Sequence, residues 1–270
     1  MHNDLTPDDI AFVDELVKRA SSAAQKAFRG RNVRITKGSP GDFASLLDTS
    51  NEKLIARSLL KRFPVDGVIG EEDGQYSHGN STWIIDPLDG TGNFLAGLPL
   101  FGVTISRWNG DVPQYSWISQ GFTGATLTVI GDNSVVNELG EPVSSPTQRP
   151  RLGTAALWLG YPENAASTMP GKLRQALRDH GAYRVMENWC PVADLFLLAS
   201  GGLDCVVGYN CRGTELAAIF HAAAALDFSI TTFGERVVPG LGKPTTFMIS
   251  PKELQSGLAQ ELLPIFASDR

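Results

Sequence analysis

Asp86 and Asp89 stand three residues apart at the end of an apolar run, residues 83–85, and Gly90 and Thr91 follow at once. Asp-Pro, Asp-Gly and Gly-Thr are turn-forming pairs, so the plain alternative is a buried strand that stops in a tight turn. A turn accounts for one aspartate. Two carboxylates at the mouth of a buried strand repel each other unless a cation or a donor lies between them. Carboxylates and backbone carbonyls are the oxygen ligands that suit Mg2+. The backbone N–H groups after Asp89 would face an anion if a helix begins there. The chemistry on offer is that of a hard metal and a phosphate. Upstream, Val68, Ile69 and Gly70 lead in the same way into Glu71 and Glu72.

The segment Asp86-Pro-Leu-Asp-Gly-Thr-Gly-Asn-Phe94, with Gly70-Glu71-Glu72 before it, resembles the first signature of the inositol monophosphatase family of Mg2+-dependent, lithium-sensitive phosphatases. The resemblance implies that Glu71, Asp86 and Asp89 ligate Mg2+ together with the Leu88 carbonyl. It implies that Glu71 also orients or deprotonates the attacking water, and that Gly90 and Thr91 donate backbone N–H bonds to the phosphate. The Thr91 hydroxyl would pair with an upstream aspartate to hold that water. Spacing gives this part to Asp48, which ends the segment Asp42-Phe-Ala-Ser-Leu-Leu-Asp48, and the lysine before the similar family segment matches Lys37. On their own, Asp48 would serve equally as a helix cap and Lys37 as a surface lysine. Glu72 reads as an outer neighbour, and Asn93 and Phe94 as supports of the turn.

The second signature of that family is a Trp-Asp-x-Ala-Ala-Gly helix start whose aspartate binds a second metal. The register falls here on Thr214-Glu215-Leu216-Ala217-Ala218, so Glu215 stands for the aspartate and Thr214 for the tryptophan. A glutamate is a competent oxygen ligand, one methylene longer. A carboxylate in a first helical turn is also ordinary dipole chemistry. Seven residues upstream, inositol-specific members carry a glutamate where this chain has Gly208. Residues 225–228 and Asn188-Trp-Cys-Pro-Val-Ala-Asp194 depart as well, although Ala199-Ser-Gly-Gly-x-Asp204 fits. The catalytic half of the pattern is retained and the recognition half has drifted, which points away from myo-inositol phosphate.

Asp-x-x-Asp spacing removes the covalent phosphatases that need Asp-x-Asp, and no Gly-x-x-x-x-Gly-Lys-Ser/Thr loop is present for a P-loop nucleotide hydrolase. The expected function is a Mg2+-dependent phosphomonoesterase on a small polyol, sugar or related phosphate, with metal-activated water as nucleophile. One alternative is a family member that binds a phosphorylated ligand with little or no turnover, favoured by Glu215, Gly208 and the missing tryptophan. Another is a bisphosphate substrate, such as fructose 1,6-bisphosphate or an adenosine bisphosphate. The Asn93-Phe94 ending of the motif sits better with the inositol and sugar branch.

The elements that must position these residues are legible from periodicity and punctuation. Thr6-Pro7-Asp8-Asp9 opens a helix that Gly30 ends, with apolar residues close to a 3.6 period. Residues 31–48 read as loop and short strand. A second helix is expected over 50–63, a strand over 68–70, a polar loop over 73–81 and strands from 101 to 130. Pro142, Pro146 and Pro150 in the polar stretch 133–152 mark a boundary, giving units 1–148 and 149–270. The second unit alternates: strand 155–159, helices 170–180 and 191–200, strand 205–208, a helix over 214–226 capped by Thr214, and strands near 228–233 and 247–249. Ser250-Pro-Lys-Glu253 opens the last helix as a capping box. An α+β half followed by an α/β half predicts a layered α/β fold. The resemblance makes it the α-β-α-β-α sandwich of the inositol monophosphatase and fructose bisphosphatase type.

With 270 residues, 42% of them hydrophobic and 19% charged, the chain can bury a sizeable core. A net charge of −6 marks neither a nucleic-acid nor a membrane-surface binder. The acid-free stretch with Lys18, Arg19, Lys26, Arg29, Arg31, Arg34 and Lys37 reads mostly as a solvated face. Three cysteines without a Cys-x-x-Cys pair suggest reduced thiols, and four scattered histidines offer no zinc spacing. With neither a signal peptide nor a membrane-length apolar run in the sequence, the expectation is a cytoplasmic protein. The expected partner is a small phosphorylated substrate, not nucleic acid or membrane, and the resemblance adds a homodimer.

Overall fold

The computed structural model describes residues 4–30, 34–36, 43–144, 151–160, 168–234 and 243–267. In chain order these form α1 (Pro7–Gly30), β1 (Arg34–Thr36), β2 (Phe43–Ser45), α2 (Leu46–Arg62), β3 (Gly67–Gly70), β4 (Gln75–Ser77), β5 (Ser81–Asp89), α3 (Thr91–Ala96), β6 (Gly102–Asn109), β7 (Val112–Gln120), β8 (Thr126–Ile130) and β9 (Ser134–Asn137). There follow β10 (Thr154–Leu159), α4 (Met169–Asp179), β11 (Arg184–Met186), α5 (Pro191–Ala199), β12 (Cys205–Cys211), α6 (Glu215–Ala225), β13 (Ser229–Thr232), β14 (Thr245–Ser250) and α7 (Lys252–Ala267).

Helix α1 starts where the sequence places it. The Thr6 hydroxyl accepts from Asp9 N–H while the Asp9 carboxylate accepts from Thr6 N–H, a reciprocal cap. The Thr6 bond, with help from Arg62, holds the Asp9 carboxyl below its usual range despite some burial. The expected cap on α6 is not made: Thr214 precedes the helix without capping it and donates its hydroxyl to Ile85 O, 3.0 Å away. The Ser250 box is absent too, because Ser250 ends β14 and its buried hydroxyl has no partner among the described residues.

Two sheets carry the fold. One has seven strands in the order β4-β3-β5-β6-β7-β8-β9, and the other has five in the order β11-β10-β12-β14-β13. Helices α1 and α2 pack on the outer face of the first sheet, α5 and α6 lie between the sheets, and α4 and α7 cover the outer face of the second. The result is the expected α-β-α-β-α sandwich. Among the described residues, the three larger apolar clusters fill the gaps. Val13, Val17, Ile55 and Leu59 meet Trp83, Ile85 and Trp117 in the first. Ile118, Leu127 and Val129 meet Leu195, Ile219 and Phe247 in the second. Leu173, Leu177, Leu258 and Leu262 meet Leu157 and Val207 in the third. In the first sheet, Arg107 and Asp66 form a buried ion pair at 2.9 Å, and Trp83 Nε1 donates to the same carboxylate.

β3 and β5 run parallel, with Gly70 opposite Ile85. This register matters most for the site. Neighbouring strands lie about 4.8 Å apart, so the next residues, Glu71 and Asp86, leave the two strands side by side. β5 continues past Asp86 to Asp89, with an irregularity against β6 between those two residues.

Candidate active site

The carboxylates gather at the carboxyl ends of β3 and β5, the edge where open α/β sheets place their ligands. Asp86 and Asp89 are 1% and 5% exposed, whereas Glu71 stands in the open turn after β3. Asp86 Oδ1 accepts from Leu88 N–H at 2.9 Å. Asp89 Oδ2 accepts from Val192 N–H at 2.7 Å and from the Cys190 thiol at 3.0 Å, so the start of α5 holds it. The Thr214 bond to Ile85 O anchors α6 beside Asp86, which brings Glu215, the first residue of α6, to the same cluster.

Electrostatics report the convergence. Burial, then the charges of Glu71, Asp89 and Glu215, push the Asp86 carboxyl well above its usual range. Asp89 is raised to about 7 by burial, against the lowering effect of Cys190 and Val192. Burial and the charges of Asp89 and Glu71 raise Glu215 well above its ordinary value. Such a group ionises together only when a cation neutralises it, and an all-oxygen donor set fits a hard divalent ion. The side chains do not yet form a cage. Among the described residues, no three His, Cys, Asp or Glu side chains are arranged to hold a metal. The Glu215 carboxyl lies folded against Gly213, where an added Cβ would come within 1.8 Å of it.

Asp48 is buried in the first turn of α2, not ahead of the helix as a cap. Its Oδ1 lies 2.8 Å from the Thr91 hydroxyl, which also lies 2.8 Å from Leu88 O; one proton serves one acceptor at a time. Gly90 has φ +78° and leads into α3, so the helix start expected after Asp89 is present. A side chain at position 90 would also strike Leu100 O at 2.6 Å. Lys37 and Asp42 lie outside the described residues.

Asn93 reads as a support of the turn, but several of the groups it works with escaped the sequence reading. Asn93 donates to Asn188 O at 2.6 Å, and Asn188 in turn bonds Asp194, whose other oxygen accepts from Trp158 Nε1. This chain of bonds fastens the loop before α5 to the motif. Trp189 in that loop is 52% exposed and adopts φ +53°, an unusual backbone for a bulky residue. Glu52, fully buried on α2, accepts from Glu72 N–H, Asp73 N–H and the Tyr76 hydroxyl. No composition or spacing signal marks Glu52; only its place one helical turn after Asp48 hints at it. At Gly208, where the similar family carries a glutamate, the Phe247 ring would lie 2.3 Å from an added Cβ and fills that space.

Comparison with known proteins agrees with this geometry. A model described as the inositol monophosphatase family matches residues 7–226. A Nus factor SuhB from Xylella fastidiosa is 34% identical over 131 residues, 47% of this chain and 48% of that protein, so the match spans about half the length of the relative. A Thermotoga maritima IMPase superposes with TM-score 0.82 at 18% identity over 97% of this chain and 99% of the other. A crystal structure of an IMPase/NADP phosphatase complexed with Mg2+ and phosphate superposes with TM-score 0.79 at 19% identity over 94% of each chain. At these identities the two structures speak for the fold.

Proposed function

The chain belongs to the inositol monophosphatase family, and from that membership we propose a Mg2+-dependent phosphomonoesterase that hydrolyses a small polyol, sugar or related phosphate. The observation that carries the proposal is the cluster of Asp86, Asp89, Glu215 and Glu71 at the carboxyl ends of β3 and β5, where burial and the charges of Glu71, Asp89 and Glu215 raise the hold of Asp86 on its proton and Glu71 does the same for Asp89 and Glu215. In this reading Glu71, Asp86, Asp89, Glu215 and the Leu88 carbonyl would hold Mg2+. When bound, the ion supplies Lewis acidity toward the phosphate oxygens and water.

The chain's own residues do the rest. Asp48 takes the Thr91 proton in a hydrogen bond, which leaves the Thr91 oxygen to accept from the attacking water. Glu71 receives a proton from that water. The N–H groups of Gly90 and Thr91 would donate to the phosphate, and the resemblance gives Lys37 a part in binding its charge. Asp89, already bonded to Cys190 and Val192 N–H, is kept in one orientation. The Phe247 ring over Gly208 leaves no room for a ring-binding glutamate, which supports a substrate other than myo-inositol phosphate. We further propose a homodimer and a cytoplasmic location; all three cysteines are free and buried, in keeping with the latter.

The test is phosphate release with Mg2+ present or chelated, across inositol, sugar, polyol and nucleotide phosphates. Turnover should require Mg2+ and fall at least ~1,000-fold in Asp86→Asn, about 4 kcal/mol of transition-state stabilisation. The folded position of Glu215 favours a second reading, a phosphate-ligand-binding protein without turnover. A folded wild type that binds Mg2+ and releases no phosphate from any compound would establish that reading instead.

A further inference from the structure

The turn that carries Glu71 is held by a group which the mechanism above does not use. Gly70 N–H donates to Gly74 O at 2.8 Å, and Gly74 has φ +75°, so residues 70–74 close on themselves. Inside the turn, Glu52 Oε2 accepts from Glu72 N–H at 2.7 Å, and Oε1 accepts from Asp73 N–H at 2.8 Å. Tyr76 donates its hydroxyl to Oε1 at 3.0 Å, with Asp73 Oδ2 as the alternative acceptor at 3.1 Å. The Glu52 side chain is 0% exposed. A Cβ on Gly70 would lie 2.3–2.6 Å from its carboxyl atoms, so glycine there is a demand of space.

The bond to Glu72 N–H grips the peptide plane that follows Glu71 and thereby fixes the ψ angle of Glu71. Glu52 lies one turn beyond Asp48 on α2, so both side chains share a helix face. One rigid helix thus sets the Thr91–Asp48 pair and the Glu71 turn in mutual register.

We propose that Glu52 is a positioning residue, whose buried carboxylate clamps the 70–74 turn so that Glu71 and the Thr91–Asp48 pair address the same phosphate and cation. The proposal rests on the phosphatase reading. Glu52→Gln keeps the shape but presents an amide N–H2 to a backbone donor in place of one acceptor oxygen. Using p-nitrophenyl phosphate as probe, the variant should lose ~10- to 100-fold in kcat with KM within ~3-fold of wild type, the range of a misplaced catalytic group. The Mg2+ concentration for half-maximal rate should rise at least ~5-fold, the scale of a lost outer-shell partner. The rise in Tm on adding Mg2+, read without substrate, should shrink in parallel.

Gly70→Ala, which pushes on the same carboxylate from the other side, should reproduce this split. Lys53→Ala should not, since Lys53 is exposed and meets the turn through the Asp73 carboxylate, 3.6 Å away. If Glu52→Gln does not fold, Tyr76→Phe and Gly70→Ala carry the test, with the same direction and smaller size. Variants that lower Tm but leave kcat and the Mg2+ response as in wild type would overturn the proposal, since that is all a merely structural carboxylate would do. Failure of the phosphatase reading looks different: the wild type itself would show no turnover, while the Mg2+-dependent Tm shift would still report on Glu52.

Discussion

Asp89 shows how far a single side chain's neighbours decide its chemistry. Burial drives its carboxyl to about 7, and the bonds from Cys190 and Val192 N–H keep it from going higher. Burial and the Asp89 charge hold the Cys190 thiol well above its ordinary value, so it stays an S–H donor at neutral pH. Cys190→Ala removes that donor. Phosphate release should fall ~10-fold at saturating Mg2+, about 1.4 kcal/mol. Cys190→Ser, which restores an O–H donor, should remain within ~3-fold of wild type. Equal losses in the two variants would show that packing of the sulfur is what matters. The sequence displayed Asp89 at once and gave no hint of Cys190, because residues 101 positions apart become partners only in the folded chain.

The turn into α3 is the element on which the motif depends. Gly90 and Gly97 both lie in the left-handed region, at φ +78° and +82°. They differ in surroundings: an added Cβ at 90 meets Leu100 O at 2.6 Å, and at 97 it meets nothing within 4 Å. Gly97→Ala should therefore cost about 1 kcal/mol in urea unfolding, the backbone penalty alone. Gly90→Ala should cost at least ~2 kcal/mol more, the scale of a core collision. Equal costs would mean that the chain relaxes around position 90. The element reading worked where period and punctuation agree, as in α1, α4, α5 and β10. It failed where tertiary pairing outweighs local signals. The apolar run 83–85 reads as a buried strand that ends at the carboxylates and the turn-forming pairs, yet β5 runs from Ser81 to Asp89 by means of the irregularity between Asp86 and Asp89. Helix α2 starts at Leu46, ahead of the expected start near residue 50, because Leu47 and Asp48 are buried against the motif. Strands β4, β9 and β11 are three or four residues long, too short to show a period.

At the scale of the molecule, the helices between the sheets govern both stability and assembly of the site. His221 on α6 is one of their buried polar ties. Its Nε2–H donates to Gly131 O and its Nδ1 accepts from the Ser116 hydroxyl, each at 2.9 Å. Burial lowers its affinity for a proton below the ordinary 6.5, against the raising effects of the Gly131 bond and Asp132. The folded pKa lies below the unfolded one, so the stability it contributes is present above pH 6.5 and is lost as pH falls toward the folded value. Wild type should exceed His221→Gln by about 1 kcal/mol at pH 7.5, and the gap should narrow as pH falls below 6.5 and the imidazole charges. Tm measured for both proteins across that span checks this, and a gap independent of pH would refute it. The same arrangement constrains how the protein is made. Strands of the first sheet are complete at Asn137, but α6, which covers their inner face at Ile118, Leu127 and Val129, begins at Glu215. At ~5–20 residues per second of synthesis, that face waits several seconds on the ribosome without its lid. The helix that ends the wait also delivers Glu215, so the inner face is covered and the carboxylate cluster is completed in the same late step.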